Sequence, residues 1–102
     1  MVYPVTWSPA ALNDLRGIAD YIAEDSPFYA EAVVNKIIEV SDTLAEHPNR
    51  GRIVPDWGLP DVRERFIYSY RLIYRVAEDE VAVLAVIHGR RRLDDSDASL
   101  VE

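Results

Sequence analysis

The stretch that most constrains the fold is residues 62–92, VRERFIYSYRLIYRVAEDEVAVLAVIHGRRR, which combines strand periodicity with a turn signal. Side chains alternate in character along residues 62–76, and this period of two is typical of strands. The polar triplet 78–80 predicts a turn. The aliphatic run 81–87 then predicts a strand covered on both faces. We therefore expect an antiparallel meander with residues 81–87 as its interior strand.

The same stretch also carries most of the positive charge. Residues 50–92 hold nine arginines against six acids, within a chain whose net charge is −7. On the expected strand 70–76, one face holds Tyr70, Leu72, Tyr74 and Val76, and the opposite face holds Arg71, Ile73 and Arg75. Three further arginines, 90 to 92, follow the interior strand, where a loop can present them. The plainer interpretation is that these arginines solvate the sheet and pair with Glu64 and the acidic tail.

Two helices are predicted between residues 8 and 47. Ser8 before Pro9, and Ser26 before Pro27, are each typical of an N-cap followed by the first helical residue. We expect helices over residues 9–24 and 27–46, and the tight connection predicts an antiparallel hairpin.

The apolar stripes of these two helices follow three- and four-residue steps. The first stripe is Leu12, Leu15, Ile18, Ala19 and Ile22, and the second is Ala30, Val33, Val34, Ile37, Ile38, Ser41 and Leu44. The carboxylates Asp14, Asp20, Glu24 and Asp25 are interpreted as a solvated face.

With short strands at residues 2–7 and 51–54 and a loop at 55–61, the sequence predicts an α+β fold. A helical hairpin packs on a mainly antiparallel sheet in the order β-α-α-β-β-β. Residues 1–102 form one domain, whose acidic tail, 93–102, is either frayed or a short, weakly docked helix.

Composition excludes several classes of protein. The sequence has no cysteine, no run of about 20 apolar residues and no apolar leader, so we expect a cytoplasmic protein without disulfides. The negative total argues against coating of nucleic acid. His47 and His88, the only histidines, lack the spacing of metal ligands, and no cofactor motif is present.

His88 is the one candidate for proton transfer, since it ends the interior strand beside Arg90, Arg91 and Arg92. A strand-end histidine bonded to the backbone is the plainer alternative. The aromatic residues of the strands could stack on bases, although cross-strand packing is their ordinary role.

The ordered set of motifs resembles the RelE/ParE superfamily of type II toxin–antitoxin toxins, particularly its ParE-like branch. The pieces that carry the resemblance are Trp7-Ser8-Pro9-Ala10-Ala11, Asp14-Leu15, Ile18-Ala19-Asp20-Tyr21-Ile22, Pro48, Gly51-Arg52, Val62-Arg63-Glu64, Tyr70-Arg71-Leu72-Ile73-Tyr74-Arg75 and Val86-Ile87-His88-Gly89-Arg90-Arg91. The resemblance implies a growth-arresting toxin of a plasmid-stabilisation-like module. It also implies a cognate antitoxin that neutralises the toxin in a hetero-oligomer, and no membrane partner.

Two mechanisms compete within that superfamily. ParE-like members inhibit DNA gyrase, whereas RelE-like members cleave mRNA on the ribosome without a metal ion. Here Phe66 and Asp97 stand where the nucleases carry arginine and tyrosine. This difference favours inhibition of gyrase over cleavage of mRNA. A nuclease would use Arg63, Arg71, His88 and Arg91 as its catalytic set.

The target- or antitoxin-binding residues implied by the resemblance are Arg65, Arg71, Arg90, Arg91 and Arg92. We expect the cluster 90–92 and Arg71 to serve toxicity but not folding, because exposed arginines contribute little to stability. A third interpretation is a non-catalytic domain that only holds an antitoxin.

Overall fold

The computed structural model describes residues 2–101, apart from the side chains of Asp95, Ser96 and Ala98. The elements in chain order are β1 (Val5–Trp7), α1 (Pro9–Ala23), α2 (Pro27–Thr43), β2 (Arg52–Ile53), β3 (Val62–Ile67), β4 (Tyr70–Val76), β5 (Val81–His88) and a C-terminal 3₁₀ helix (Asp95–Val101). No helix within residues 2–101 is long and apolar enough to cross a membrane.

The five strands form one sheet in the order β1-β5-β4-β3-β2. Every neighbouring pair is antiparallel except β1 and β5, which run parallel from Val5 opposite Val81 to Trp7 opposite Val83. The predicted helical hairpin on a mainly antiparallel sheet is therefore confirmed, and β5 is its interior strand. The two-residue β2 adds a short edge to the predicted meander.

Both helices begin where the Ser-Pro pairs predict. Ser8 Oγ accepts a hydrogen bond from the Ala11 N–H at 3.0 Å, and Ser26 Oγ accepts one from the Tyr29 N–H at 3.1 Å. α2 ends at Thr43, three residues before the predicted end at 46. The chain tightens there, because the Leu44 N–H bonds the Ser41 carbonyl rather than a carbonyl four residues back.

One core lies between the helices and the sheet. Its fully or nearly buried members are Ala11, Val33, Ile37, Val40, Leu44, Ile67, Leu72, Tyr74, Val81, Val83 and Val86. The predicted stripes are wrong at two positions, since Leu12 is 42% exposed and Ile38 is 41% exposed. Ala11 and Val40, which the predicted stripes omit, are buried instead.

A second core covers the opposite face of the sheet. It contains Val54, Val62, Ile73, Ala85, Ile87 and Leu93, with Trp57 and Leu59 of the 55–61 loop and Leu100 and Val101 of the tail packed against it. The face that carries Arg71 and Ile73 is thus buried by the loop and the tail. Of the two alternatives for the tail, the short docked helix is the one the structure contains.

We expect Tyr74→Phe to lower the free energy of unfolding by about 1–3 kcal/mol. The Tyr74 hydroxyl is fully buried, donates to the Pro48 carbonyl at 2.7 Å and accepts from the Gly51 N–H at 2.9 Å. Its removal leaves both backbone groups unpaired. Urea denaturation measures the loss. Tyr68→Phe is the control, because Tyr68 is 61% exposed, and equal stability of the two variants would contradict the assignment.

Candidate functional site

Arg71 lies inside the molecule, not on its surface. Arg71 as a whole is 5% exposed. The guanidinium donates to Glu64 Oε1 at 2.7 Å, to Asp56 Oδ1 at 3.0 Å and to the Arg91 carbonyl at 3.1 Å. The expectation that Arg71 is exposed is therefore wrong. The reason is that its face of β4 is covered by the 55–61 loop and the tail.

Glu64 is the centre of this charge network and is 1% exposed. Its second oxygen, Oε2, accepts from Arg52 Nε at 2.6 Å, so one buried carboxylate joins arginines from β2 and β4. The plainer interpretation of the arginines, pairing with Glu64 and the tail, is correct for these residues. The central position of Glu64 was not predicted. The available signal was its spacing, because residues two apart on a strand share a face and Val62 is apolar.

Asp56 connects the network to the chain after β5. Its Oδ2 accepts from the Leu93 N–H at 3.1 Å. Burial acts to raise the pKa of Asp56, but the Leu93 N–H and the Arg71 guanidinium outweigh it, and the pKa lies below its ordinary value. The ionised form is the stable one, so the loop, β4 and the tail are held together by charge at neutral pH.

Arg91 is paired within the chain as well. Its guanidinium forms an ion pair with Asp97 Oδ1, and Asp97 Oδ2 accepts from the Asp94 N–H at 3.1 Å. Asp97 is 7% exposed. The residue that stands where RelE has a tyrosine thus binds one of the arginines that a nuclease would need.

The two arginines of β3 differ from each other. Arg63 donates to the Gly51 carbonyl at 2.9 Å and holds the chain before β2. Gly51 has no space for a side chain, because an added Cβ would lie 2.5 Å from the Glu64 carbonyl oxygen. Arg65 is half-buried, and its Nη1 has no hydrogen-bond partner among the described residues.

Four of the predicted site residues are exposed in the structure: His88, Arg90, Arg91 and Arg92. His88 Nδ1 accepts from the Arg90 N–H at 3.2 Å, and its ring meets Tyr70 edge to face at 5.9 Å between centroids. The backbone bond matches the plainer alternative for this histidine. No group of three His, Asp or Glu side chains within the described residues is arranged to hold a metal ion.

An open cleft of about 440 Å³ lies beside His88, at the tip of the β3–β4 hairpin. Its walls are Phe66, Tyr68, Ser69, His88, Gly89 and Arg90. Tyr68 has φ 53, a left-handed conformation that aromatic residues rarely adopt. Phe66 is 51% exposed, and the Arg52 guanidinium lies 5.2 Å from its ring centre. This surface was not predicted from the sequence. The available signal was Phe66, an aromatic residue near the end of β3 and close to the turn that follows.

The nine arginines of residues 50–92 differ in how they are bonded. Arg52, Arg63, Arg71 and Arg91 are bonded to carboxylates or carbonyls of the same chain. Arg90 lines the cleft at the aromatic tip of the hairpin, and Arg92, two residues later, is exposed as well. Exposed aromatic and arginine side chains together are typical of a protein-binding surface.

Comparison with known proteins agrees with this geometry. A family model described as the ParE toxin of the type II toxin–antitoxin system parDE matches residues 5–93. The toxin RelE2 of Caulobacter vibrioides is 34% identical over 88 residues, which cover 85% of this chain and 96% of the relative.

Solved structures show the same fold. The chain aligns with a protein of a chromosomal ParDE system from P. aeruginosa with a TM-score of 0.71 and 26% identity, over 85% of this chain and 96% of the other. The RelBE2 toxin–antitoxin complex from Mycobacterium tuberculosis gives a TM-score of 0.64 at 22% identity, over 86% and 99% of the two chains. The protein described here therefore belongs to the ParE toxin family of type II toxin–antitoxin systems.

Proposed function

We propose that this toxin arrests growth by inhibiting DNA gyrase and does not cleave ribosome-bound mRNA. The observation that carries the proposal is that two arginines are already ion-paired within the chain. Arg71 pairs with Glu64 and Asp56. Arg91 pairs with Asp97. These two arginines are among the four residues that a nuclease of this fold would use.

A metal-free ribonuclease must stabilise a pentavalent phosphate with cationic groups that are free to bind it. Arg71 already donates to two carboxylates and a carbonyl, and its side chain is 6% exposed. Glu64 adds a negative charge at the same place. A phosphate there would have to displace buried ion pairs and approach carboxylates of like charge, and both effects oppose binding.

The exposed surface fits a protein target better. Phe66 and Tyr68 offer large apolar area, and Arg90 and Arg92 offer charge without internal ion pairs among the described residues. Aromatic and arginine side chains are the commonest energetic anchors of protein interfaces. Inhibition of a large protein enzyme requires such anchors and no catalytic residue.

The competing function is a metal-independent endoribonuclease. It is favoured by His88, which is exposed beside Arg90 and Arg92 and is therefore accessible to an RNA. The relative named RelE2 also leaves this alternative in place. A non-catalytic domain that only binds an antitoxin would have neither activity and would not arrest growth.

The purified toxin is expected to inhibit supercoiling by gyrase and to leave mRNA on translating ribosomes intact. Arg90→Ala combined with Arg92→Ala should weaken the inhibition at least about tenfold, as loss of interface anchors does. Arg16→Ala, an exposed change on α1, is the matched control. Codon-specific mRNA cuts that vanish on His88→Ala, with supercoiling unaffected, would establish the ribonuclease instead.

An antitoxin is the second proposed partner, and it would hold the toxin in an inactive hetero-oligomer. The support is that the solved RelBE2 structure is a toxin–antitoxin complex. Gyrase as target places the site of action in the cytoplasm. Co-expression with the neighbouring small reading frame should yield a stable complex, and a harmless monomer without a partner would contradict this proposal.

A further inference from the structure

Asp14 lies between α1 and β5, where it completes the hydrogen bonds of the sheet. β1 pairs with β5 only as far as Val83, so the later part of β5 has no strand on that side. Asp14 Oδ2 accepts from the Val86 N–H at 3.0 Å and replaces the missing strand. The expectation that Asp14 belongs to a solvated face is therefore wrong, because it lies three residues after the buried Ala11 and four before Ile18.

This carboxylate has no cationic partner in direct contact among residues 2–101. Burial raises the pKa of Asp14, and the Val86 N–H and the more distant charge of Arg91 offset this only in part. Ionised Asp14 thus carries a desolvation cost that a cation placed beside it would relieve.

Asp14 opens into a cleft of about 500 Å³ on the helix side of the sheet. Tyr21 and Tyr70 line it together with Asn13, Gly17 and His88. Tyr21 is 72% exposed, and the wall at Gly17 is open, with no atom within 4 Å of where a Cβ would stand. The cleft therefore offers aromatic surface and one carboxylate to a ligand that enters from solvent.

We propose that this cleft binds the guanidinium of an arginine side chain presented by a partner protein, with Asp14 as the ion-pair partner and Tyr21 and Tyr70 as the aromatic walls. Aromatic faces attract cations, and a planar guanidinium can stack on a ring while it donates to a carboxylate. The surroundings have the matching sign, since residues 1–49 hold eight acids against two bases. This cleft shares His88 with the cleft that Arg90 lines, and the proposal goes beyond the proposed action on gyrase.

The test is an NMR titration of the full chain with N-acetyl-arginine amide. We expect saturable shifts of the Val86 amide and of the Tyr21 and Tyr70 rings. The pKa of the Asp14 carboxyl should fall on binding, because a nearby cation favours the charged form. The uncharged citrulline amide is the matched probe, and it should cause no such shifts. The lysine amide should bind more weakly, since an ammonium cannot stack or donate in a fork.

The matched variants are Asp14→Asn and Asp20→Asn. Asparagine keeps an acceptor for the Val86 N–H but removes the charge, so the dissociation constant should rise about tenfold, as expected for loss of a charge-assisted bond. Asp20→Asn, an exposed change on the same helix, should leave it unchanged. Tyr21→Leu, at a position exposed enough to leave folding intact, should also weaken binding. Equal binding of citrulline or lysine, or unchanged affinity in Asp14→Asn or Tyr21→Leu, would overturn the proposal.

Discussion

Arg71→Met is expected to lower the free energy of unfolding by about 3–5 kcal/mol, the usual cost of breaking a buried ion pair from one side. Methionine fills much of the space of the arginine stem. Among the described residues it leaves Glu64 with Arg52, which is exposed, as its remaining ion-pair partner. Asp56 and the Arg91 carbonyl lose their donor in the same change. At about 4–8 °C per kcal/mol, the melting temperature should fall by more than 10 °C.

Guanidinium denaturation followed by circular dichroism measures this loss. Arg92→Met is the matched control, because Arg92 is exposed and its substitution should change stability by no more than about 0.5 kcal/mol. If the two variants unfold at the same denaturant concentration, the Glu64 network contributes nothing to the fold. Arg71 would then be dispensable for folding, as the sequence predicts.

Ile37→Asp should abolish the folded protein. Ile37 is 0% exposed at the centre of the helix–sheet core. A carboxylate there would be buried without a partner, at a cost comparable with the whole stability of a domain of this size, about 5–15 kcal/mol. Soluble yield, near-ultraviolet circular dichroism and thermal melting report the result.

Ile38→Asp is the control for that experiment, since the neighbouring side chain is 41% exposed. It should fold and melt close to the parent protein. Because the sequence analysis placed both isoleucines in one stripe, the pair also tests the helix orientation. A folded Ile37→Asp variant beside an unfolded Ile38→Asp variant would reverse the face that α2 buries.

Local signals made the secondary structure predictable. Ser8 with Pro9, and Ser26 with Pro27, mark the helix starts through groups only a few residues apart, and the run 81–87 is apolar enough to identify an interior strand. The orientation of each helix was less predictable. Several apolar residues compete for one face, and the sheet that selects Ala11 and Val40 lies far away in sequence.

The charge network could not be predicted for a similar reason. The buried position of Arg71 depends on Glu64 from the neighbouring strand and Asp56 from a loop. The alternation of side chains along β4 contains no information about those partners. The tail contributes too, since Leu93 and Asp97 cover the face on which the arginine lies. His88 and Arg90 were easier to locate, because both follow the interior strand directly and must lie at its end.

The parallel pairing of β1 with β5 also has a consequence for synthesis of the protein. Ser8, directly after β1, bonds the Leu84 carbonyl from 76 residues away, so the interior strand of the sheet is among the last segments to be made. At about 5–20 residues per second, the ribosome finishes α2 roughly 2–9 s before it finishes β5. During that interval the sheet that covers the apolar faces of the helical hairpin lacks its interior strand. A nascent chain interrupted before Val81 would leave β1 and β4 without the strand between them, and it would also lack His88, Arg90 and Arg92.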